Sequence, residues 1–260
     1  MQIKDKIVVV TGAASGIGKA LCEKFANEGA AGIIASDVNA QGAETVAKSL
    51  SVPAFAMTTD VSREEQVIEL VEAALDRFGH IDLFCSNAGI FTPGDENVST
   101  AQWQRIWDIN VMAHVFAARA VLPAMLERGS GYLLNTASAA GLLNQIGSAP
   151  YAVTKHAAVG FAEWLSITYG DRGIKVSVLC PQAVRTGMTA NTRNGGVAGV
   201  DGMLEPEQLA QTVVETLAAE RFLVLPHPEV LTYIQRKTAD YDRWLGGMRR
   251  LQSKFGKLYE

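Results

Sequence analysis

The chain has few residues of the kinds that form disulfides or bind metals, with three cysteines and four histidines among 260 residues. Cys22, Cys85 and Cys180 are odd in number and far apart, which is typical neither of a disulfide framework nor of a paired-cysteine zinc site. We therefore expect reduced core thiols, a cytoplasmic location and no bound metal. The histidines, no two of which have metal-ligand spacing, are His80, His114, His156 and His227.

The chain also lacks long blocks of one charge and long runs of apolar residues. Its 23 basic and 27 acidic residues give a net charge of −4, which argues against nucleic acid or an anionic membrane as a partner. The longest uncharged stretch, residues 129–154, contains amide, hydroxyl and proline residues and does not read as a membrane span. We predict a small-molecule partner, no nucleic acid and no membrane.

Short apolar runs alternate with longer segments of helical period. Continuous apolar runs are expected in parallel strands covered by helices on both faces, and here they occupy residues 7–10, 32–36, 54–58, 83–86, 132–136, 176–180 and 222–225. Between two of them, residues 64–78 carry one apolar stripe with a 3.6-residue period. The alternation predicts an α/β fold: a single-domain, doubly wound, seven-stranded parallel sheet with helices on both faces. Within this domain, residues 1–260, we expect a mobile substrate loop at 187–208 and a helical tail at 227–260.

A glycine-rich segment follows the first predicted strand and opens a helix. It reads T-G-A-A-S-G-I-G at residues 11–18. Glycine allows a tight turn and lets a pyrophosphate approach backbone amides, and the helix amino end supplies free donors. An ordinary β-to-α turn is the alternative. The G-x-x-x-G-x-G spacing, without the Lys-Ser/Thr pair of a P-loop, argues against an NTPase.

Asp37 follows the second predicted strand, about 20 residues beyond the glycine segment, where a carboxylate can accept hydrogen bonds from an adenosine ribose. The same charge would repel a 2′-phosphate, and no basic residue stands at Ser15 or Val38 to offset it. The alternative is that Asp37 caps the helix beginning near Asn39.

Tyr151 and Lys155 are four residues apart at the start of a predicted helix, so both side chains project from one face. Ser148 and Pro150 favour a helix start at this point. A nearby ammonium favours phenolate over phenol, which predicts a lowered tyrosine pKa and proton exchange with an alcohol or carbonyl. The pair alone indicates little, because Tyr and Lys recur at this spacing on exposed helices.

In combination the motifs are specific. The glycine segment, Asp60-Val61, N-A-G at 87–89, Asn110, Ser138, and Tyr151 with Lys155 occur in order at predicted strand and helix boundaries. The chain thereby resembles the short-chain dehydrogenase/reductase family in its one-domain, NAD-dependent form, from residue 6 to about residue 225. The resemblance implies a Rossmann fold and an oxidoreductase.

The resemblance also implies roles for the matching residues. Tyr151 would be the general acid/base, Ser138 would bind the substrate oxygen, and Asn110 would anchor a water that links Lys155 to solvent. Together Asn110, Ser138, Tyr151 and Lys155 would form the catalytic set. The implied NAD-binding residues are Gly12, Ser15, Gly16, Ile17, Gly18, Asp37, Asp60, Val61, Asn87, Ala88, Gly89, Tyr151, Lys155, Pro181, Val184 and Thr186.

One position departs from the family pattern, which usually has Pro-Gly after the sixth strand. Here Pro181 is followed by Gln182, which either contacts the substrate or narrows its pocket. Loops beyond the strand ends carry mainly apolar residues, which favour a bulky hydrophobic, cyclic or aromatic substrate. The predicted substrate residues are Ser138, Leu142, Gln145, Gln182 and Met188.

The leading hypothesis is an NAD-dependent enzyme that transfers a hydride between nicotinamide and a secondary alcohol or ketone. A 3-oxoacyl-type ketone reductase is an alternative, weakened by the lack of clustered basic residues near the substrate loops. An NADP-dependent ketone reductase would differ mainly at Asp37. A non-catalytic NAD-binding interaction module would not require the full catalytic set. Ser138 has no plausible His and Asp partners, which sets aside a serine hydrolase.

Two long predicted helices, residues 100–126 and 149–169, are strongly apolar. The resemblance implies that they pair with their copies across a twofold axis, in a homotetramer or, alternatively, a dimer. The competing interpretation is that one subunit uses all these apolar residues internally. The tail has apolar and aromatic residues at helical spacing, so it packs either on its own sheet edge or over the pocket or a neighbouring subunit.

Overall fold

The apolar runs pair as strands of one sheet in a computed structural model that describes residues 1–190 and 193–256. In this part of the chain seven strands form a parallel sheet in the order β3-β2-β1-β4-β5-β6-β7. They are β1 (Ile7–Thr11), β2 (Gly32–Asp37), β3 (Ala54–Thr58), β4 (Leu83–Ser86), β5 (Gly131–Thr136), β6 (Ile174–Leu179) and β7 (Leu223–Val224). The predicted doubly wound parallel sheet is confirmed.

Helices connect the strands and cover both faces of the sheet. They are α1 (Gly16–Asn27), α2 (Ala40–Ser49), α3 (Glu64–Phe78), α4 (Thr100–Trp107), α5 (Ala113–Arg128), α6 (Ala140–Leu143), α7 (Ala149–Tyr169), α8 (Pro206–Ala218), α9 (Glu229–Ala239) and α10 (Tyr241–Phe255). A π-helical turn, Asp108–Met112, joins α4 to α5. Short 3₁₀ helices occupy Gly170–Arg172 and Gly187–Thr189. Two further turns within Arg193–Gly199 are separated by a kink with non-helical backbone at Asn194, Gly195 and Gly196.

Most element boundaries agree with the sequence pattern. The strand at 54–58 and the helices at 64–78 and 149–169 have the predicted limits. Strand β6 begins two residues before its predicted start, because Lys175 interrupts the apolar run while its backbone still pairs with β5. Strand β7 pairs only with Val178 and Leu179 of β6. Lys175 therefore lies on the part of β6 that has no neighbouring strand on that side.

The core consists of two main layers, one on each face of the sheet. Along β1, Val8 and Val10 pack in the layer beneath α1, α2 and α8, whereas Val9 packs in the layer beneath α3, α5 and α7. Alternate residues of a strand point to opposite faces, so a fully apolar strand serves both layers. The three cysteines are buried free thiols, as predicted.

The helical segment Thr100–Arg128 is long and apolar enough to cross a membrane by length and composition. Half of this apolar window, 50%, is buried inside the protein. A buried core helix passes the same test, so the segment by itself is only a weak indication of a membrane span.

Two segments beyond β6 surround the carboxyl end of the sheet. The predicted loop, of which residues 191–192 lie outside the described part, returns so that Val184 pairs with Leu204 in an isolated bridge. The tail after β7 forms α9 and α10, and Val230 packs with Ala139 and Leu143. The last part of the predicted tail, residues 257–260, also lies outside the described chain.

Candidate active site

A cavity of about 860 Å³ lies at the carboxyl ends of the central strands, where open α/β sheets bind ligands. It collects nearly all the predicted site residues. Those lining it are Gly12, Ser15, Gly16, Ile17, Gly18, Asp37, Asp60, Val61, Asn87, Ala88, Gly89, Ser138, Gln145, Tyr151, Lys155, Pro181, Gln182, Val184, Thr186 and Met188. Of the predicted residues, Asn110 and Leu142 are not part of this lining.

The glycine turn is shaped by close packing against the neighbouring strand end. Gly12 has φ +67°, and a Cβ there would lie 2.9 Å from the Cα of Ala88. At Gly18 a Cβ would overlap the carbonyl oxygen of Gly12. Ser15 precedes α1 without a side-chain capping bond, and the first turn of the helix has no acidic residue. The backbone amides at the start of α1 therefore face no capping side chain and no acidic residue of the first turn, and they suit an anionic group such as a diphosphate.

A chain of hydrogen bonds joins three strand ends to α7. The Thr11 hydroxyl accepts from the backbone N–H of Asn87 (3.0 Å) and of Ala88 (3.1 Å), and Asn87 Nδ2 donates to the Thr11 carbonyl (3.0 Å). The Thr136 hydroxyl donates to Asn87 Oδ1 (3.2 Å). Lys155 Nζ in turn donates to the Thr136 carbonyl (3.0 Å).

Thr11 and Thr136 were not among the predicted site residues. Each is a hydroxyl residue at the last position of a buried strand, and Thr11 also opens the glycine-rich motif at residues 11–18. Their contacts depend on which strands become neighbours in the sheet.

The start of α7 places Tyr151 and Lys155 on the cleft wall. Ser148 caps the helix by accepting from the Tyr151 N–H (3.1 Å) and donates to the Thr92 carbonyl (2.5 Å). Lys155 Nζ lies 5.6 Å from the centroid of the Tyr151 ring. The Tyr151 ring also packs against Phe91, with 5.1 Å between centroids. The predicted common face is therefore present.

Burial favours the neutral forms of both the Lys155 amine and the Tyr151 phenol. Lys155 is 3% exposed, and loss of hydration lowers its pKa to about 8. Burial also raises the pKa of Tyr151, and a hydrogen bond with Ser138 opposes the shift. The expected lowering of the Tyr151 pKa by Lys155 is wrong for this chain alone, because loss of hydration is the largest contribution.

Ser138 follows β5 and lies beside Tyr151. Its hydroxyl donates to the Pro181 carbonyl at 3.4 Å and accepts from the Ala140 N–H at 3.1 Å. The contact with Tyr151 brings two hydroxyl groups to one point of the cleft. Such a pair can bind one substrate oxygen.

Asn110 lies in the π-helical turn, one layer behind the cleft. Its Oδ1 accepts from the Ile90 N–H (2.9 Å), and its Nδ2 donates to the Ile90 carbonyl (3.0 Å) and to the Thr154 hydroxyl (3.3 Å). A Cβ on Gly89 would meet Asn110 Oδ1 at 3.3 Å and Lys155 Nζ at 3.4 Å, so a glycine separates the two polar groups. The water-anchoring role of Asn110 remains a prediction.

Asp37 stands between the glycine turn and α2. Its Oδ2 accepts from the Ala14 N–H (3.0 Å) and its Oδ1 from the Asn39 N–H (2.9 Å). Asn39 itself caps α2 by accepting from the Gly42 N–H (3.1 Å). The alternative in which Asp37 is the helix cap is therefore wrong, and its carboxylate lines the cavity instead.

Leu142 was predicted to contact substrate, yet it packs within the cluster formed by α6, α9 and α10. Its carbonyl accepts a hydrogen bond from Lys237 Nζ (2.7 Å). The tail covers the helix on which Leu142 lies, and no local pattern signals this. Within the described residues there is also no group of three or more His, Cys, Asp or Glu side chains able to hold a metal ion.

The sequence model of the short chain dehydrogenases matches residues 6–196 of the chain. The chain belongs to this family. Among its relatives, 1-deoxy-11-beta-hydroxypentalenate dehydrogenase of Streptomyces exfoliatus is 37% identical over 238 residues, covering 88% of this chain and 86% of that protein. Cyclohexanol dehydrogenase of an Acinetobacter species is 30% identical over 231 residues, covering 86% of this chain and 92% of that protein.

A solved structure leads to the same family. A short chain dehydrogenase/reductase from Burkholderia phymatum, crystallised in complex with NAD, superposes with a TM-score of 0.84 and 30% identity. The match covers 93% of this chain and 96% of that one. The chain is thus an oxidoreductase of the short-chain dehydrogenase family, as its motifs predicted.

Glycine at position 18 is required by the packing of this short-chain dehydrogenase. We expect Gly18→Ala to lower the melting temperature, by a loss of about 1 to 3 kcal/mol of stability, because the added methyl would overlap the Gly12 carbonyl. Gly246→Ala in α10 is the matched control, since its nearest neighbouring atom lies 3.8 Å away. Thermal unfolding of both variants checks this, and equal melting temperatures would contradict the packing.

Proposed function

We propose that this chain is an NAD-dependent enzyme that interconverts a secondary alcohol and its ketone, with a bulky hydrophobic, cyclic or aromatic substrate. The observation that carries the proposal is the meeting of Ser138, Tyr151 and Lys155 on one wall of the cleft. A pure NAD-binding module would need no such set. The buried free thiols support a cytoplasmic location as part of the same proposal.

The cleft fits a dinucleotide. The glycine turn is a cradle that a Cβ would fill, and the open amides of α1 suit the diphosphate. Asp37, Asp60 and Val61 would hold the adenosine end, while Lys155 would hold the nicotinamide ribose. The buried Thr59 hydroxyl has no partner among the described residues and also lines the cavity. When bound, NAD supplies the hydride acceptor for alcohol oxidation.

The remaining steps belong to the chain's own residues. Ser138 would hold the substrate oxygen while Tyr151 removes its proton. Lys155, held by the Thr136 carbonyl, keeps an amine beside the tyrosine that can exchange protons with it. In ketone reduction Tyr151 would donate the proton instead. Burial strengthens each of these hydrogen bonds by excluding water.

The apolar wall of the cleft supports the substrate class. Ile90, Phe91, Ile109 and Met188 contribute to the lining. One relative is named for cyclohexanol, a cyclic secondary alcohol, which favours this class over an acyl-carrier substrate. A panel of secondary alcohols with NAD, followed by NADH absorbance, tests the proposal. No oxidation of any member would reject it.

Tyr151→Phe should reduce turnover by about 10² to 10⁴ while NAD still binds, because only the proton-transferring hydroxyl is lost. Burial raises the pKa of Tyr151, so its acid form prevails at neutral pH. Oxidation, which needs the base form, should therefore rise as the pH increases, and ketone reduction should fall. Initial rates across pH and NAD titration measure this. Tyr169→Phe at the far end of α7 is the control, and wild-type turnover in Tyr151→Phe would contradict the mechanism.

NAD should be preferred to NADP by more than about tenfold in kcat/KM, because the Asp37 carboxylate would repel a 2′-phosphate. Asp37→Asn removes the charge and keeps one of the two oxygens that accept from the neighbouring amides, so it should shrink the preference. Glu44→Gln, on the exposed face of α2, should leave it unchanged. Equal or better kinetics of the wild type with NADP would overturn the role of Asp37.

We further propose a homotetramer, or a dimer, paired through α4, α5 and α7. Trp164 is 51% exposed and Ile167 is 83% exposed on α7, and Trp107 on α4 is 36% exposed, so the subunit leaves apolar surface uncovered there. Light scattering should give a mass of four times 27.8 kDa for a tetramer, or of twice 27.8 kDa for a dimer. Ile167→Glu should lower the mass, whereas Ile68→Glu on α3 should not. A wild-type monomer at micromolar concentration would decide against assembly.

A further inference from the structure

Gln182 stands at the end of β6, on the substrate side of the cleft, and is held from the tail side of the molecule. Its backbone N–H donates to Nδ1 of the buried His227 at 3.2 Å. Its side-chain Nε2 donates to Asp201 Oδ2 at 2.9 Å. Its Oε1 is buried and has no hydrogen-bond partner among the described residues. The amide is therefore fixed, with one polar end bonded and the other inaccessible.

Asp201 binds a second element at the same time. Its Oδ1 accepts from the Tyr233 hydroxyl at 2.9 Å, and Tyr233 lies in α9. Burial, together with this hydrogen bond, raises the pKa of Tyr233, so the phenol stays protonated and continues to donate. One carboxylate thus joins the end of β6, the loop after it and the C-terminal tail.

The loop around Asp201 is itself anchored beside the cleft. The Ala183 N–H donates to the Ala198 carbonyl (3.0 Å), and the Leu204 N–H donates to the Ala183 carbonyl (3.1 Å). Gly202 has φ +99°, a conformation that suits glycine and turns the chain directly after Asp201. Asp201 is therefore presented at a fixed place between Gln182 and Tyr233.

We propose that Asp201 is a positioning residue that holds Gln182 as a wall of the substrate pocket by tying it to Tyr233. We call Gln182, Asp201 and Tyr233 the Asp201 clamp. Because Nε2 is committed and Oε1 is inaccessible, Gln182 acts by its volume and offers the substrate no hydrogen bond. The clamp therefore limits the width of an apolar ring or chain attached to the carbinol carbon. This rests on the proposed function, whose substrate selection it explains.

The kinetic test compares cyclohexanol with the wider decahydro-2-naphthol at saturating NAD. Asp201→Ala and Gln182→Ala should each raise the kcat/KM ratio of the wider alcohol over cyclohexanol by about fivefold or more, through KM, as loss of hydrogen bonds to a charged group predicts. Tyr233→Phe should also raise this kcat/KM ratio, but by a smaller factor. The double variant Asp201→Ala/Gln182→Ala should show the same kcat/KM ratio as Gln182→Ala alone, because the clamp acts through Gln182. NAD affinity should stay within about twofold, since the nucleotide end is untouched.

Asp171→Ala, an exposed carboxylate between α7 and β6, is the control for loss of charge. An unchanged ratio in Asp201→Ala, or a double variant whose effects simply add, would overturn the positioning role. So would a Gln182-dependent preference for alcohols that carry a second hydroxyl group, because it would show that Oε1 binds substrate directly.

Hydrogen exchange of the full chain with NAD provides a readout that needs no turnover. Amides of residues 198–204 and of α9 should exchange faster in Asp201→Ala and Tyr233→Phe, and at the wild-type rate in Asp171→Ala. Faster exchange in Asp201→Ala with an unchanged kcat/KM ratio would show that Asp201 holds the tail but does not position Gln182. Unchanged exchange would show that Asp201 does not join these segments at all. If the wild type oxidises no alcohol, the proposed function and the substrate wall both fail, while exchange still decides whether Asp201 joins the segments.

Discussion

The buried hydrogen-bond chain from Thr11 through Asn87 and Thr136 to Lys155 is the constraint on which the rest of the site depends. An amine that is 3% exposed is costly unless its donors are satisfied, and the Thr136 carbonyl satisfies one of them. The same chain keeps the ends of β1, β4 and β5 in register. The Lys155 amine, the glycine turn and the carboxyl ends of these three strands are thereby held in one geometry.

Burial then sets the chemistry of the wall that this geometry creates. The pKa of Lys155 falls to about 8 and that of Tyr151 rises, because water that would stabilise either charge is excluded. The two shifts run in opposite directions, so the phenol holds its proton more tightly than the neighbouring ammonium does. The Ser138 hydroxyl lies beside the same phenol.

The two ends of the cleft are built by different means. At the nucleotide end, glycines let backbone meet backbone, so Gly12 and Gly18 leave little freedom for variation. At the substrate end, side chains from the loop and the tail meet, as Gln182, Asp201 and Tyr233 do. Backbone packing therefore shapes the first end, whereas side-chain hydrogen bonds between distant segments shape the second.

The sequence by itself determined the elements and most of the site. Strand and helix limits such as 83–86 and 64–78 follow from local apolar period, the glycine turn follows from steric demand, and the four-residue spacing of Tyr151 and Lys155 places both on one helix face. Each of these signals is written within a few neighbouring residues.

Only the tertiary structure decided which distant residues meet. Thr11 and Thr136 acquire their contacts from strand order, and Leu142 packs beside the tail rather than in the cavity lining. The direction of the Tyr151 pKa shift depends on burial, which no spacing reveals. Asp201 contacts partners 19 and 32 residues away because the loop and α9 return to the same edge of the sheet. Such contacts leave no periodic trace along the chain, because they depend on how the segments pack in space.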